Sequence, residues 1–246
     1  MSARAQRSLA AVVLACVFLA ARVAEAGMKL ELDGNQPMQG GSALKMVLIL
    51  TALSLAPAIL LTTTSFVRIA VVLSFLRNAM GTQNMPPTQV LMGLSLFLTV
   101  AVMTPTATAL YDRGLGPYLD GQLSAEKAIE RGSKPLRTFM LKQTRKADLA
   151  LFYDIHDTPR PNGPDDVGMQ LLIPAFVISE LRTSFEMGFV LYLPFLLVDL
   201  VVATVLMALG MVMVPPAMLS LPMKVMLFVL ADGWNVLVAS LVKSFL

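Results

Sequence analysis

The chain has 246 residues, of which 56% are hydrophobic and only 14% are charged, and its mean hydropathy is +0.71. A water-soluble domain of this size needs much more surface charge, so the composition excludes that class and indicates contact with lipid or with a large buried protein surface. The formal net charge of +3, without basic runs interleaved with aromatic residues, also excludes a nucleic-acid-binding protein.

Residues 1–26 have the three parts of a cleavable signal peptide. Two arginines precede a short apolar run from Leu9 to Ala21, and Ala24 and Ala26 place small residues at the cleavage positions. The run is too short to cross about 30 Å of hydrocarbon, and a retained anchor helix is the alternative. Cys16, the only cysteine of the sequence, is followed by further apolar residues, which counts against a lipoprotein anchor. We predict cleavage after Ala26.

Residues 27–44 are predicted to form a polar extracytoplasmic tail, and residues 45–110 a first apolar helical hairpin. Its two apolar stretches, Met46 to Phe66 and Val90 to Leu110, are each about 20 residues long, the length of a membrane span. By the positive-inside rule, the connection at 67–87 lies in the cytoplasm. That connection contains no acidic residue, and its two arginines are Arg68 and Arg77.

Residues 111–188 are the polar part of the chain, and we predict a helical insert outside the cytoplasm. A short helix is expected to end near Gly132, and an amphipathic helix to follow from Leu136. A Pro-rich loop then carries His156, the only histidine, which we interpret as a solvated side chain rather than a catalytic one. Residues from Met169 to Met187 are again predicted to be helical.

Residues 189–246 are predicted to form a second apolar hairpin, with apolar stretches from Phe189 to Met213 and from Met218 to Leu246. The Pro215-Pro216 pair interrupts the helix between them. The sequence therefore predicts an all-α membrane protein. Two apolar helical hairpins, with about four membrane-type helices bent at prolines, surround a polar helical extracytoplasmic insert.

Two ionisable residues inside the second hairpin are candidates for an intramembrane charge pair. Asp199 lies before the Pro-Pro turn and Lys224 after it, each within roughly two to four helical turns, so an antiparallel hairpin brings them together. A proton-relay role for Asp199 is the alternative, although no second carboxylate or histidine accompanies it.

The region around the same turn is rich in methionine. The flexible thioether makes apolar surfaces that adapt to varied partners, and lipid-facing or core filler is the alternative interpretation. The methionines concerned are at positions 207, 211, 213, 218, 223 and 226.

Catalytic and cofactor motifs are absent from the sequence. It has no Walker loop, no dinucleotide-binding glycine motif, no paired Cys or His for a metal and no nucleophile elbow. We therefore predict no enzymatic activity, no cofactor and no metal site.

Four segments of the sequence, taken in order, resemble the FliP family of flagellar biosynthetic export-gate proteins, which is related to the SctR subunits of injectisomes. The resemblance covers nearly the whole chain from residue 45 onward, and a cleavable signal peptide also fits this family. The segments run from Thr63 to Pro87, from Ile173 to Phe185, from Ala208 to Pro216 and from Pro222 to Trp234.

The resemblance implies an all-α, multi-pass subunit of the bacterial inner membrane at the flagellar basal body. It implies a homo-pentamer that joins FliQ, FliR and other membrane proteins of the export apparatus in a pore for unfolded flagellar subunits. The narrow point of that pore is expected to be a methionine gasket, here Met211, Val212 and Met213. Val212 stands where the family often has a third methionine.

The resemblance also implies that the helices pack in bent hairpins displaced toward the periplasm, which counts against a simple four-span topology. Prolines suited to such bending are Pro57, Pro105, Pro174 and Pro194. The region around Glu180 resembles the family's subunit-contact region. We therefore expect Glu180 either to pair with an Arg or Lys of a neighbouring copy or to be a satisfied surface charge.

On this basis, the expected function is a passive, gated conduit for unfolded protein, driven by other subunits. One rival is a solute or ion transporter that couples through Asp199 and Lys224. The other is a purely structural scaffold for the secretion base.

Overall fold

The computed structural model describes residues 47, 50–51, 54–55, 57–82, 85–159, 161 and 163–246, without the side chain of residue 165. The predicted signal peptide and the predicted tail at 27–44 lie outside the described residues, as do residues 46, 48–49, 52–53 and 56 of the first predicted span. The chain divides into two compact units, Met1–Ile59 and Leu60–Leu246. All helices named below belong to the second unit.

The described residues are predominantly helical and include no strand. Tyr111–Leu115 forms a π-helical turn between the second and third helices, and Pro164–Asp166 forms a 3₁₀ turn before the sixth. From Phe66 onward, the α-helices are α1 (Phe66–Ala79), α2 (Thr88–Leu110), α3 (Gly116–Leu119), α4 (Ala125–Gln143), α5 (Lys146–Ile155), α6 (Met169–Ala208), α7 (Pro216–Leu230) and α8 (Gly233–Lys243).

Two of the helical segments are long and apolar enough to cross a membrane. One runs from Thr88 to Leu119 and includes α2 and α3; the other is α6, with 40 residues and an 18-residue stretch of mean hydropathy 2.5. In the described part of the chain, α7 and α8 form a third span if the pair crosses as one, with a 65° bend between them. The predicted fold class, an all-α membrane protein, is confirmed.

The four-crossing arrangement, with 67–87 in the cytoplasm and 111–188 outside it, is wrong for α1 and α6. Arg68 Nε on α1 lies 2.9 Å from Glu180 Oε2 on α6, so these two residues cannot lie on opposite sides of a membrane. The positive-inside rule considers only the charges of a connecting segment. Here the segment is itself a helix with a packing face, and its first arginine is buried.

The packing face of α1 follows from helical spacing. Apolar residues recur at i, i+3, i+4 and i+7, and all four are at most 1% exposed: Ile69, Val72, Leu73 and Leu76. α1 runs parallel to the first half of α6, where Phe75 meets Phe185 edge to face with 5.4 Å between ring centroids. A Cβ at Gly188 would lie 2.6 Å from Phe75 Cγ, so the glycine makes room for this ring.

The predicted short helix does not end near Gly132, because α4 continues through it to Gln143. Gly132 instead lies where α4 crosses the π-helical turn. A Cβ added to Gly114, in the π-helical turn, would lie 2.8 Å from the Cα of Gly132 and 2.8 Å from the carbonyl oxygen of Ala128. The two glycines allow the backbones to approach this closely. Beyond this crossing, α4 joins α6 in a small core of Met140, Val167, Leu172 and Phe176.

Candidate functional site

The structure brings together the two ionisable residues of the second hairpin. Lys224 Nζ on α7 lies 2.6 Å from Asp199 Oδ2 on α6, and Ser220 Oγ, one turn before Lys224, donates to Asp199 Oδ1 at 2.6 Å. The pair forms because α7 turns back along α6 after the Pro-Pro segment. Both carboxylate oxygens therefore have a donor.

Lys224 also reaches a third element. Its Nζ donates to the carbonyl oxygen of Ala79 at 3.3 Å, and that carbonyl belongs to the last turn of α1, where helical carbonyls have no partner within their own helix. Lys224 is only 5% exposed. One ammonium group thus joins the end of α1 to α6 and α7, so its contacts hold these three helices together.

A second buried ion pair was not predicted from the sequence. Arg68 and Glu180 are 2% and 0% exposed, and the guanidinium contacts both carboxylate oxygens of Glu180 through Nε and Nη2. This differs from both expectations for Glu180, since its partner is in the same chain and its carboxylate does not reach the surface. The sequence feature that could have indicated this pair is Arg68, a charged residue next to the apolar face of α1.

The three predicted gasket residues lie in the connection between α6 and α7, residues 209–215. Met211 is 44% exposed, Val212 is 78% exposed and Met213 is 95% exposed. Gly210, with φ of +73°, begins the turn in a conformation that favours glycine. In a single chain this connection is therefore an exposed apolar tip, a surface that soluble proteins avoid and that contacts lipid or protein in an assembly.

An apolar groove of about 600 Å³ lies between α6 and the bent pair of α7 and α8. Glu186 stands at its rim, held by Arg145 Nη1 at 3.0 Å and by Arg182 Nε at 3.5 Å. The hydrogen bond to Glu186 raises the pKa of Arg145 above its usual value. The apolar side chains of the groove include Val190, Leu191, Pro194, Leu227, Val236 and Leu237.

His156 lies at the end of α5 and is exposed, with Nδ1 3.0 Å from the carbonyl oxygen of Phe152. Within the ranges that the structure describes, no group of three or more His, Cys, Asp or Glu side chains could hold a metal ion.

Comparison with known proteins agrees with the family resemblance of the four sequence segments. The FliP family model matches residues 49–241. Flagellar biosynthetic protein FliP of Pectobacterium carotovorum subsp. carotovorum is 54% identical over 216 residues, covering 86% of this chain and 84% of the relative. The protein of that name from Bacillus subtilis is 46% identical, covering 87% of this chain and 96% of the relative. The Caulobacter vibrioides protein is also 46% identical, covering 97% and 89%. The chain belongs to the FliP family.

Proposed function

We propose that this chain is the core pore-forming subunit of a flagellar-type protein export gate, required for flagellum assembly. The single observation that carries the proposal is the exposed apolar tip at Met211, Val212 and Met213, in a member of the FliP family. As a homo-pentamer with FliQ and FliR, the chain lines a helical pore in the bacterial inner membrane. Unfolded flagellar subunits leave the cytoplasm through this pore.

The chemistry of the tip suits a gate for varied unfolded chains. Thioether side chains are unbranched and polarisable, so they close around different sequences without a specific fit. A ring of apolar side chains also holds back ions, because a narrow apolar constriction excludes water. Val212 keeps the ring apolar, but its side chain is smaller than that of a methionine at the same position.

The Asp199–Lys224 pair supports the same proposal from the base of the hairpin. By joining α6, α7 and the end of α1, it holds the two helices whose connection carries the gasket residues. A tip that flexes on a fixed base can open for cargo and close behind it.

The contact between Arg68 and Glu180 supports a proposal for how the helices are placed relative to the membrane. We propose that the polar helices α4 and α5 lie on the periplasmic side, within the insert at 111–188. The first half of α6 and the start of α1 then lie at that level too, because Arg68 is bonded to Glu180. This arrangement fits hairpins that are displaced toward the periplasm.

The conduit is passive and the chain is not an enzyme. Its ion pairs connect helices, and the sequence contains no nucleotide-binding motif. The driving force comes from other membrane proteins of the export apparatus, with which the gate works.

The test is a double substitution, Met211→Ala with Met213→Ala, in cells that carry only this copy of the protein. We expect weaker swarming and a leak of small ions, measured as growth inhibition that rises with external salt. Met226→Ala is the matched control, since Met226 is also an exposed methionine, 56% exposed, but lies on α7 away from the tip.

A purely structural scaffold predicts the opposite result. If cells with the double variant swarm normally and leak no ions, while the amount of the protein in the membrane is unchanged, the gasket role is wrong.

A further inference from the structure

The guanidinium of Arg68 has no spare donor. It makes five hydrogen bonds, as many as it has N–H groups. Two go to the carboxylate of Glu180, and one goes to Gln143 Oε1 at 3.0 Å. The other two go to Ser244, to its carbonyl oxygen at 3.1 Å and its hydroxyl oxygen at 3.0 Å. Each acceptor is therefore needed to keep a buried cation satisfied.

Two of these acceptors come from Ser244–Leu246, a three-residue segment that we call the clasp. The ring of Phe245 lies on the guanidinium, with Cζ of Arg68 4.0 Å from the ring centroid, which is cation–π geometry. The same ring also stacks on Phe139, with 6.3 Å between centroids. Phe245 is itself buried. The clasp thus forms one wall of the site that holds the ion pair.

The last turn of α4 holds the clasp in place. Lys142 Nζ donates to the carbonyl oxygen of Leu246 at 2.7 Å. Gln143 Nε2 donates to the carbonyl oxygen of Phe245 at 3.2 Å, while its Oε1 accepts from Arg68. One amide group therefore connects the clasp to the ion pair. The side chain of Leu246 is exposed and contributes no part of this network.

We propose that the clasp closes the Arg68–Glu180 pair off from water and thereby fixes α1 against α6. Inside a closed site, the attraction between the two charges is strong, since little water competes with it. Without the clasp, the guanidinium loses two acceptors and its aromatic cover, so water must enter or the pair must separate. This inference concerns the fold of one chain and does not depend on the proposed export role.

The test measures how well the start of α1 stays packed in the purified full chain in detergent. Ser65 is fully buried one turn before Arg68, so Ser65→Cys places a thiol there, and Cys16→Ser makes it the only one. The measured quantity is the rate at which a maleimide labels this cysteine. The variants are Phe245→Ala and deletion of 244–246, and Leu246→Ala is the matched control within the clasp.

We expect the deletion to raise the labelling rate on the order of tenfold or more, the factor expected for losing hydrogen bonds to a charged group. Phe245→Ala should raise it by a similar factor, because it removes a desolvated cation–π contact with Arg68. Leu246→Ala should leave the rate within about twofold of the parent. If Phe245→Ala labels as slowly as the parent, the proposal is overturned. Should the deletion variant fail to accumulate, Phe245→Ala and Ser244→Ala decide the result.

A second background separates closing of the ion pair from ordinary packing by an aromatic ring. In a chain carrying both Arg68→Gln and Glu180→Gln, no ionic pair remains to be closed. There, Phe245→Ala should raise the labelling rate by a clearly smaller factor than in the parent, because only the loss of packing remains. An equal increase in both backgrounds would show that Phe245 only fills space, and the proposal would be wrong.

Discussion

Asp199 and Lys224 form an ion pair that is open to solvent on one side only. The side chain of Lys224 is 6% exposed, whereas that of Asp199 is 33% exposed. Loss of the carboxylate therefore leaves a nearly buried ammonium without its counter-charge. Loss of the lysine leaves a carboxylate that water can still reach in part. Single substitutions of Asp199 and of Lys224 should therefore lower the stability by different amounts.

We predict that Asp199→Asn lowers stability by about 3–5 kcal/mol, the usual cost of leaving a buried charge without its partner. Lys224→Gln should cost less, because Asp199 is partly solvated. The double variant should recover most of the loss and restore swarming. The measurement is the thermal unfolding midpoint in detergent, together with a swarming assay.

A proton relay gives a different pattern, since a relay needs an ionisable group at position 199. If the double variant is stable but swarms no better than Asp199→Asn alone, the pair has a role beyond holding helices together. That outcome would favour the transporter rival.

Glu180 provides a second test at this scale. Glu180→Ala leaves Arg68 buried without its carboxylate. We therefore expect the free energy of unfolding of the single chain, outside any oligomer, to fall by about 3–5 kcal/mol. Glu186→Ala, on the same helix, removes an exposed carboxylate and should change the unfolding midpoint little. The measurement is thermal unfolding of both purified variants.

A contact with a neighbouring copy predicts the reverse order of effects. If Glu180→Ala unfolds at the parent temperature but no longer forms oligomers, the carboxylate acts between subunits and not within one.

The two ion pairs also show what one sequence can predict at the residue scale. Asp199 and Lys224 are 25 positions apart on two sides of a proline turn, so hairpin geometry is enough to suggest their contact. Arg68 and Glu180 are 112 positions apart, and no local rule joins them. Their contact depends on how α1 packs on α6, which a single sequence does not show.

Among the helices, α6 departs most from expectation. The sequence predicted a boundary between a polar helix and an apolar span at 188–189, but α6 runs without a break from Met169 to Ala208. Its two interior prolines, Pro174 and Pro194, are tolerated within the helix. A bend of 65° lies between α7 and α8, where Asp232 has φ of +49°. A change in polarity along the sequence therefore does not by itself end a helix.

The crossing of the π-helical turn and α4 gives a prediction at the scale of elements. Gly114→Ala should destabilise the chain by about 1–3 kcal/mol, because its Cβ would meet backbone atoms that cannot move alone. Gly93→Ala on α2 is the control. A Cβ there meets nothing within 4 Å, and alanine favours the helix, so its unfolding midpoint should be unchanged or higher. Equal behaviour of the two variants would contradict the close crossing.

Taken as a whole, the single chain leaves a large apolar surface uncovered. The tip at Met211 to Met213 and the groove beside α7 and α8 are both open, and large exposed side chains include Phe97, Phe189 and Leu230. Lipid covers part of such a surface, but a groove and a tip are shapes that helices of other subunits fill. The membrane class and the family were predictable from composition and from four segments. The uncovered tip and groove, in contrast, could be located only from the packed structure.

The most direct test of the proposed export gate is native mass spectrometry of the full chain, tagged and extracted in mild detergent after co-expression with its FliQ and FliR partners. We predict a complex that contains several copies of this chain together with both partners. Co-expression of a chain with Leu246→Ala, which leaves the ion pairs intact, should give the same complex. A stable monomer or dimer that carries neither partner would contradict the account and would direct attention to Asp199 and Lys224 as transport residues.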